Sequence, residues 1–187
     1  GVSFLMFGYL FLDKFKPIKF ELFEWYPSPQ IIFEFYLDGL SGVMMILISG
    51  LSLVIQLFST SYMSKDEKYT KYFEYFNFFV FSMLLLVLSG NFLVMFFGWE
   101  LVGLSSYLLI SFWYEKNSAA KAGNKAFILN RIGDFGFLIG LMMILNYFET
   151  FNFFEIFDSV LIKQPLNLDL IILFLLSFSV TAKNLVP

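Results

Sequence analysis

The most informative pattern in the chain is an alternation of long apolar runs with shorter polar segments. Residues 39–58 (GLSGVMMILISGLSLVIQLF) carry no charge, and roughly 20 apolar residues in a helix can cross a bilayer core of about 30 Å. Asp38 directly precedes this run, at the position where an aspartate caps the N-terminus of a helix. The pattern therefore predicts a membrane-spanning helix that begins after Asp38.

Other apolar runs predict four more spans. Residues 75–99 are uncharged, and the Gly90-Asn91 pair within them is typical of a turn that separates two helices. The five predicted spans are 39–58, 72–90, 92–114, 126–148 and 168–187. Residues 2–12 are too short to cross alone and are interpreted as the end of a further span. The fold class is therefore an all-α integral membrane protein with one transmembrane domain.

Polar segments connect these runs and indicate an orientation. Residues 13–37 predict a surface connector with short extended strands, and residues 149–169 predict a second connector. The polar loops 64–74 and 115–125 fall on one side of the membrane and hold six lysines, against four on the other side. The positive-inside rule favours the six-lysine side as the inner, or matrix, side.

Composition excludes several classes of protein. The 187 residues are 59% hydrophobic with a mean hydropathy of +0.77, outside the range of soluble domains. Cysteine and histidine are absent, so no thiolate metal site, iron–sulfur cluster or disulfide is expected. Without a glycine-rich fingerprint, no flavin or nicotinamide is expected in this chain either. The basic residues form no patch, so a nucleic-acid partner is not predicted.

Two further features concern the origin of the chain. The 28 phenylalanines occupy places where leucine would serve a membrane helix equally well, which indicates the nucleotide bias of an AT-rich organellar genome. The chain starts at Gly1 and stops at Pro187 after an apolar run. We therefore interpret it as a piece of a longer protein, completed either by a second chain or by further residues of the same one.

Glu100 is the first of four ionisable groups that lie inside predicted spans. A charge at the centre of a membrane helix costs roughly 2.5–3.5 kcal/mol, so such a group is expected to be functional. Gly103 and Tyr107 lie on the same helical face, which would allow close approach of a neighbouring helix and bring a hydroxyl within reach. The alternative is a purely structural glutamate that is hydrogen-bonded between helices.

Arg131 and Asp134 lie three residues apart on one predicted helix, a spacing at which they can pair, and Asn130 adds a donor and an acceptor. Such a pair could instead only anchor the helix. Lys183 is the fourth group, and a helix that continues past Pro187 would be broken near it, as in transporters. The alternative interpretation is that Lys183 lies at a helix end and snorkels to the membrane surface. Glu100 and Lys183 could together pass a proton by changing their pairing.

The motifs that hold these charges resemble those of chain 5 of respiratory complex I. The resemblance covers residues 30–187 and rests on YLDGLS at 36–41, GWELVG at 98–103, NRIGD at 130–134 and TAKNLVP at 181–187. It departs from the family in the last motif, where Ala182 replaces a glycine and Asn184 replaces a serine. The resemblance implies an antiporter-like helix bundle, of which this chain is the N-terminal half or a fragment.

The resemblance also implies site residues, partners and a location. Glu100 matches the family's membrane glutamate, Lys183 matches the lysine that pairs with it, and Arg131 and Asp134 match the charges that tune this pair. The implied function is proton translocation driven by quinone reduction, as part of an NADH:ubiquinone reductase whose NADH, FMN, iron–sulfur clusters and ubiquinone bind to other subunits. The implied partners are other membrane-arm subunits, the rest of chain 5, and membrane lipids such as cardiolipin. The implied location is the mitochondrial inner membrane.

Two other functions fit the sequence. A subunit of a multisubunit sodium/proton antiporter shares the same motifs. A structural membrane subunit without its own proton path would use the charges only to hold helices together.

Overall fold

The computed structural model describes residues 16–27 and 30–162, together with residues 3, 5, 6, 8 and 9. The predicted span 168–187, with Lys183 and Pro187, lies outside these residues. The strands are β1 (Ile18–Pro27) and β2 (Gln30–Leu37). The helices are α1 (Gly39–Tyr62), α2 (Tyr69–Val87), α3 (Phe92–Ile110), α4 (Asn117–Phe148) and α5 (Phe153–Ile162). In the described part the fold is thus a mostly helical bundle preceded by a hairpin.

Among the helices that the structure describes, α1, α3 and α4 are long and apolar enough to cross a membrane. The predicted cap of α1 is confirmed: the Asp38 Oδ1 atom accepts the Ser41 backbone N–H at 2.8 Å, and the Ser41 hydroxyl oxygen accepts the Asp38 N–H at 2.7 Å. This reciprocal pair is a capping box, which satisfies donors at both residues. Helix α2 covers most of the predicted span 72–90, and its crossing of the membrane stays a prediction.

Two connectors differ from their predictions. Residues 115–125 were expected to form a polar loop, but α4 begins at Asn117, because the alanines and lysines that follow have high helix propensity. The helix is therefore longer than its apolar part. The connector 149–169 contains α5, whose start is stabilised by the Asn152 side chain, which accepts the Phe154 N–H at 2.9 Å.

The helices pack through glycine and aromatic residues. Gly98 of α3 lies so close to α2 that an added Cβ would stand 2.7 Å from the Leu86 Cα. Helices α3 and α4 meet where Phe137 stacks near Phe96, with ring centroids 5.4 Å apart. Phe137 also belongs to a buried cluster that joins α4 to α5, with Leu141, Ile144, Phe151 and Ile156. This packing fixes α3 against α4 at the depth where their charged residues lie.

The β-hairpin is hydrogen-bonded to the turn that joins α2 to α3. The Tyr36 N–H donates to the Leu88 carbonyl at 2.9 Å, and the Gly90 N–H donates to the Glu34 carbonyl at 3.0 Å. Asn91 caps α3 through Val94, and its side-chain amide also donates to the Ile32 carbonyl at 2.7 Å. The predicted connector is therefore an ordered antiparallel pair of strands that is bonded to the bundle.

Candidate functional site

Glu100 of α3 forms an ion pair with Arg131 of α4. The Arg131 Nη1 donates to the Glu100 Oε2 in a direct hydrogen bond. In the isolated chain the Glu100 side chain is 21% exposed and the Arg131 side chain 48% exposed. A charged pair in the apolar part of two membrane helices is costly unless protein or water covers it. The pair is thus a functional candidate on the surface between α3 and α4.

Arg131 also lies near a second carboxylate. Its Nη1 is 3.8 Å from the Asp134 Oδ2, at the i,i+3 spacing that the sequence predicted. Asp134 is buried, with 5% of its surface exposed. The predicted contact between Arg131 and Asp134 is therefore present but looser than the contact with Glu100. One guanidinium is shared by two carboxylates, which leaves a formal charge of −1 when all three groups are ionised.

Trp99 holds the other oxygen of Asp134. Its indole Nε1–H donates to the Asp134 Oδ1 at 2.9 Å, while its ring lies 5.8 Å from the ring of Phe137. Trp99 therefore both packs against Phe137 and positions Asp134. A sequence signal did exist, because the N–H of a buried indole needs an acceptor and the neighbouring helix carries a carboxylate.

Arg131 also contacts an aromatic side chain of its own helix. Its guanidinium carbon lies 5.0 Å from the centre of the Phe127 ring, a distance at which a cation–π interaction stabilises the charge. Tyr107, whose hydroxyl was predicted to come within reach of Glu100, packs its ring 5.3 Å from Phe127. Gly103 and Asn130, which were predicted to face the same site, are both buried. Tyr107 thus belongs to the aromatic wall of the site.

Lys183 lies outside the described residues, so its pairing with Glu100 stays a prediction. Among the residues that the structure describes, Arg131 is the cation at Glu100. The same described residues hold no group of three or more aspartate or glutamate side chains placed to bind a metal ion. The ionisable side chains of Glu100, Arg131 and Asp134 are groups that can form ion pairs and exchange protons.

Glu34 is a buried carboxylate that the sequence did not single out. It was placed on the predicted surface connector, yet only 2% of its surface is exposed. The Lys19 Nζ lies 2.7 Å from its Oε2, and the Asn152 Nδ2 donates to its Oε1 at 3.0 Å. This ion pair with Glu34 raises the pKa of Lys19 above its usual 10.5. Glu34 therefore joins the hairpin to the α4–α5 connection.

Two protein-family models match the chain. The model described as "NADH:quinone oxidoreductase/Mrp antiporter, TM" matches residues 89–186, and the model described as "NADH-Ubiquinone oxidoreductase (complex I), chain 5 N-terminus" matches residues 25–73. The first match includes Glu100, Arg131, Asp134 and Lys183. The site described above thus lies within a matched family region.

Curated relatives with similar sequences include proteins from bacteria and chloroplasts. The chain is 42% identical over 142 residues to NADH-quinone oxidoreductase subunit L of Rickettsia bellii, covering 75% of this chain and 22% of the relative. It is 41% identical over 153 residues to the chloroplastic NAD(P)H-quinone oxidoreductase subunit 5 of Lepidium virginicum, covering 79% and 20%. The chain therefore spans about a fifth of the length of these relatives.

Solved structures share the fold at low sequence identity. The chain superposes on a chain of the Mrp complex from Dietzia sp. with a TM-score of 0.82 at 20% identity, covering 96% of this chain and 20% of the other. It also superposes on a chain of the membrane-bound sulfane sulfur reductase, an archaeal respiratory complex, with a TM-score of 0.80 at 21% identity, covering 96% and 37%. The antiporter-like helical fold that the sequence predicted is thereby confirmed.

Proposed function

Because this chain belongs to the NADH:quinone oxidoreductase/Mrp antiporter transmembrane family, we propose that it is part of a proton-translocating, antiporter-like subunit of complex I. Its task in that complex is to move protons when quinone reduction in other subunits drives it. The match of residues 25–73 to the chain 5 N-terminus supports complex I over other members of the family. Its proposed partners are the other membrane-arm subunits, the remainder of the same subunit and membrane lipids.

The observation that carries this proposal is the shared guanidinium between Glu100 and Asp134. A carboxylate inside a membrane is held ionised by a nearby cation and tends to take up a proton when that cation leaves. Arg131 contacts Glu100 directly and Asp134 loosely, so a small shift of the guanidinium would change which carboxylate is compensated. Such an exchange is a means of taking up and releasing a proton inside the membrane.

Lys183 completes the proposed mechanism as the partner that the family resemblance assigns to Glu100. The triad of Glu100, Arg131 and Asp134 has a formal charge of −1, so an approaching lysine would neutralise it. Approach of Lys183 would compete with Arg131 for Glu100 and push the guanidinium towards Asp134. This chain would thereby contribute acid–base groups to the complex, while the electron transfer takes place in other subunits.

The mitochondrial inner membrane is the proposed location. It is supported by the phenylalanine-rich composition, with 28 of 187 residues, which fits an AT-rich organellar genome. The six-lysine side would then face the matrix. Sequencing the gene with its flanking DNA tests this location, and a gene on a bacterial chromosome or in a chloroplast genome would overturn it.

A substitution of Glu100 tests the proposed function. In the complete complex, Glu100→Gln keeps the side-chain shape but removes the carboxylate that can bind and release a proton, so substrate-driven proton translocation into closed vesicles should be lost. Assembly, followed by native gel electrophoresis, should be normal. The matched control is Glu67→Gln, which changes an exposed glutamate before α2 and should leave proton translocation unchanged.

Two alternatives predict other outcomes of the same experiment. If the charges serve only as structural links, Glu100→Gln lowers assembly while the assembled complex pumps normally. A sodium/proton antiporter is the second alternative, because the description of the family model that matches residues 89–186 also names the Mrp antiporter. In that case proton movement in the vesicles would follow an imposed sodium gradient and would not depend on quinone reduction.

A further inference from the structure

An open pocket lies between the start of α2, the end of α3 and the start of α4. Its volume is about 230 Å³. Its lining residues come from the start of α2, the end of α3 and the start of α4, and they include Lys68, Lys71, Tyr75, Tyr107 and Asn124. None of the residues that line the pocket carries a carboxylate. The pocket therefore offers ammonium, hydroxyl and amide donors to a ligand with acceptor oxygens.

The two lysines differ in their partners. The Lys68 Nζ lies 2.6 Å from the Glu115 Oε1 and 4.3 Å from the centre of the Tyr114 ring. Lys71 forms no ion pair with any residue that the structure describes. One positive charge at this pocket is thus left for a ligand, since the charge of Lys68 is already balanced.

The position of the pocket favours a ligand that belongs to the bilayer. It lies where α3 leaves its apolar stretch, near the exposed aromatic residues Trp113 and Tyr114, and such residues mark the membrane–water interface. Leu108 and Phe112 supply an apolar wall beside the polar donors. Basic pockets between membrane helices on the inner side bind the headgroups of anionic lipids.

We propose that this pocket binds the phosphate of an anionic phospholipid, with Lys71 as the main cation and the hydroxyls of Tyr75 and Tyr107 as further donors. The apolar wall at Leu108 and Phe112 contacts the glycerol and the first acyl carbons of the same lipid. The proposal concerns a lipid site near the membrane surface and does not depend on the proton-transfer role of Glu100.

Native mass spectrometry of the complete complex tests the site. The complex is placed in nanodiscs of phosphatidylcholine with a limiting fraction of phosphatidylglycerol, and the phosphatidylglycerol retained after release is counted. Lys71→Gln should lower the association constant for phosphatidylglycerol about fivefold, which is the effect of one basic residue at a membrane surface. Lys71→Arg keeps the charge and should retain the lipid.

Lys121→Gln is the matched control, because Lys121 is exposed at the same end of α4 as the pocket but does not line it. It should leave retention unchanged. Equal retention in Lys71→Gln and wild type would overturn the proposal, and so would an equal loss in Lys71→Gln and Lys121→Gln, which would indicate a diffuse effect of surface charge. Inorganic phosphate is tested separately in nanodiscs that contain only phosphatidylcholine. The pocket is a site for free phosphate if phosphate raises the thermal stability of wild type but not of Lys71→Gln, while both retain the same amount of phosphatidylglycerol.

Discussion

The contacts of Arg131 show how one residue can serve two carboxylates. Its guanidinium donates directly to Glu100, and the distance to Asp134 is 3.8 Å. Asp134 is nevertheless buried, and a buried carboxylate needs other donors when its cation is turned away. The Trp99 indole supplies one of them at 2.9 Å. Trp99 therefore helps to keep Asp134 in place while Arg131 is held by Glu100.

The first prediction concerns this indole. Trp99→Phe retains an aromatic ring beside Phe137 but removes the hydrogen bond to the buried Asp134, so the free energy of unfolding should fall by about 1–2 kcal/mol. Thermal unfolding of the detergent-solubilised complex measures this loss. We also expect slower proton translocation at an unchanged amount of assembled complex, because Arg131 is then drawn towards Asp134 and away from Glu100.

Trp113 provides a matched control in the same chain. Its indole donates to the Asp66 Oδ2 at 3.1 Å, also between a tryptophan and an aspartate, but at an exposed position. Trp113→Phe should lower stability only slightly, since water replaces the lost donor. Equal losses for both substitutions would show that burial of Asp134 adds nothing, which would contradict the role assigned to Trp99.

At the scale of elements, close packing of α2 against α3 depends on Gly98. A Cβ at this position would stand 2.7 Å from both the Cα and the backbone nitrogen of Leu86. Since backbone atoms cannot turn aside as a flexible side chain can, the two helices would have to separate. Glycine at a helix interface allows this close approach of backbones.

The second prediction follows from this contact. Gly98→Ala should destabilise the protein by roughly 1–3 kcal/mol, measured by thermal unfolding in detergent. Gly50→Ala is the control, because a Cβ at this α1 glycine meets nothing within 4 Å; it should raise stability by about 0.5–1 kcal/mol through helix propensity. A neutral result for Gly98→Ala would mean that α2 and α3 lie further apart than described.

At the scale of the whole molecule, Glu34 joins three parts of the chain that are distant in sequence. It forms an ion pair with Lys19 of β1 and accepts a hydrogen bond from Asn152 of the α4–α5 connection. Its side chain also lies against Gly90, where an added Cβ would stand 2.6 Å from the Glu34 Cγ. The buried carboxylate of Glu34 therefore links the β-hairpin, the turn between α2 and α3, and the α4–α5 connection.

The third prediction is a pH dependence at this junction. The ion pair with Glu34 raises the pKa of Lys19 above 10.5. The stabilising contribution of Lys19 is therefore fully present below about pH 10.5 and is lost as the pH rises through the higher pKa in the folded protein. The difference in unfolding temperature between wild type and Lys19→Met should thus be constant near neutral pH and shrink above about pH 10.5. Lys16→Met, at an exposed lysine nearby, should match wild type at each pH. A difference between wild type and Lys19→Met that stayed constant at alkaline pH would contradict the ion pair.

Several features of this protein depend on local properties of the chain and could be predicted from the sequence. Apolar runs long enough for a bilayer predicted the helical membrane fold, and the spacing of Asp38 before its run predicted a cap that the structure confirms. The cost of charge in a membrane drew attention to Glu100, Arg131 and Asp134, which the fold brings together on α3 and α4. The local pattern failed at residues 117–125, where helix propensity outweighs polarity.

Which of these groups contact each other depends on the packing of the helices and could not be predicted from local pattern. The direct bond from Arg131 to Glu100 and the bond from Trp99 to Asp134 join two helices, so their geometry depends on how α3 packs against α4 and not on spacing within either helix. The burial of Glu34 likewise depends on residues more than a hundred positions away, such as Asn152. Helix formation and hydropathy act over neighbouring residues, whereas burial and hydrogen-bond partners are set by the packing of the whole chain.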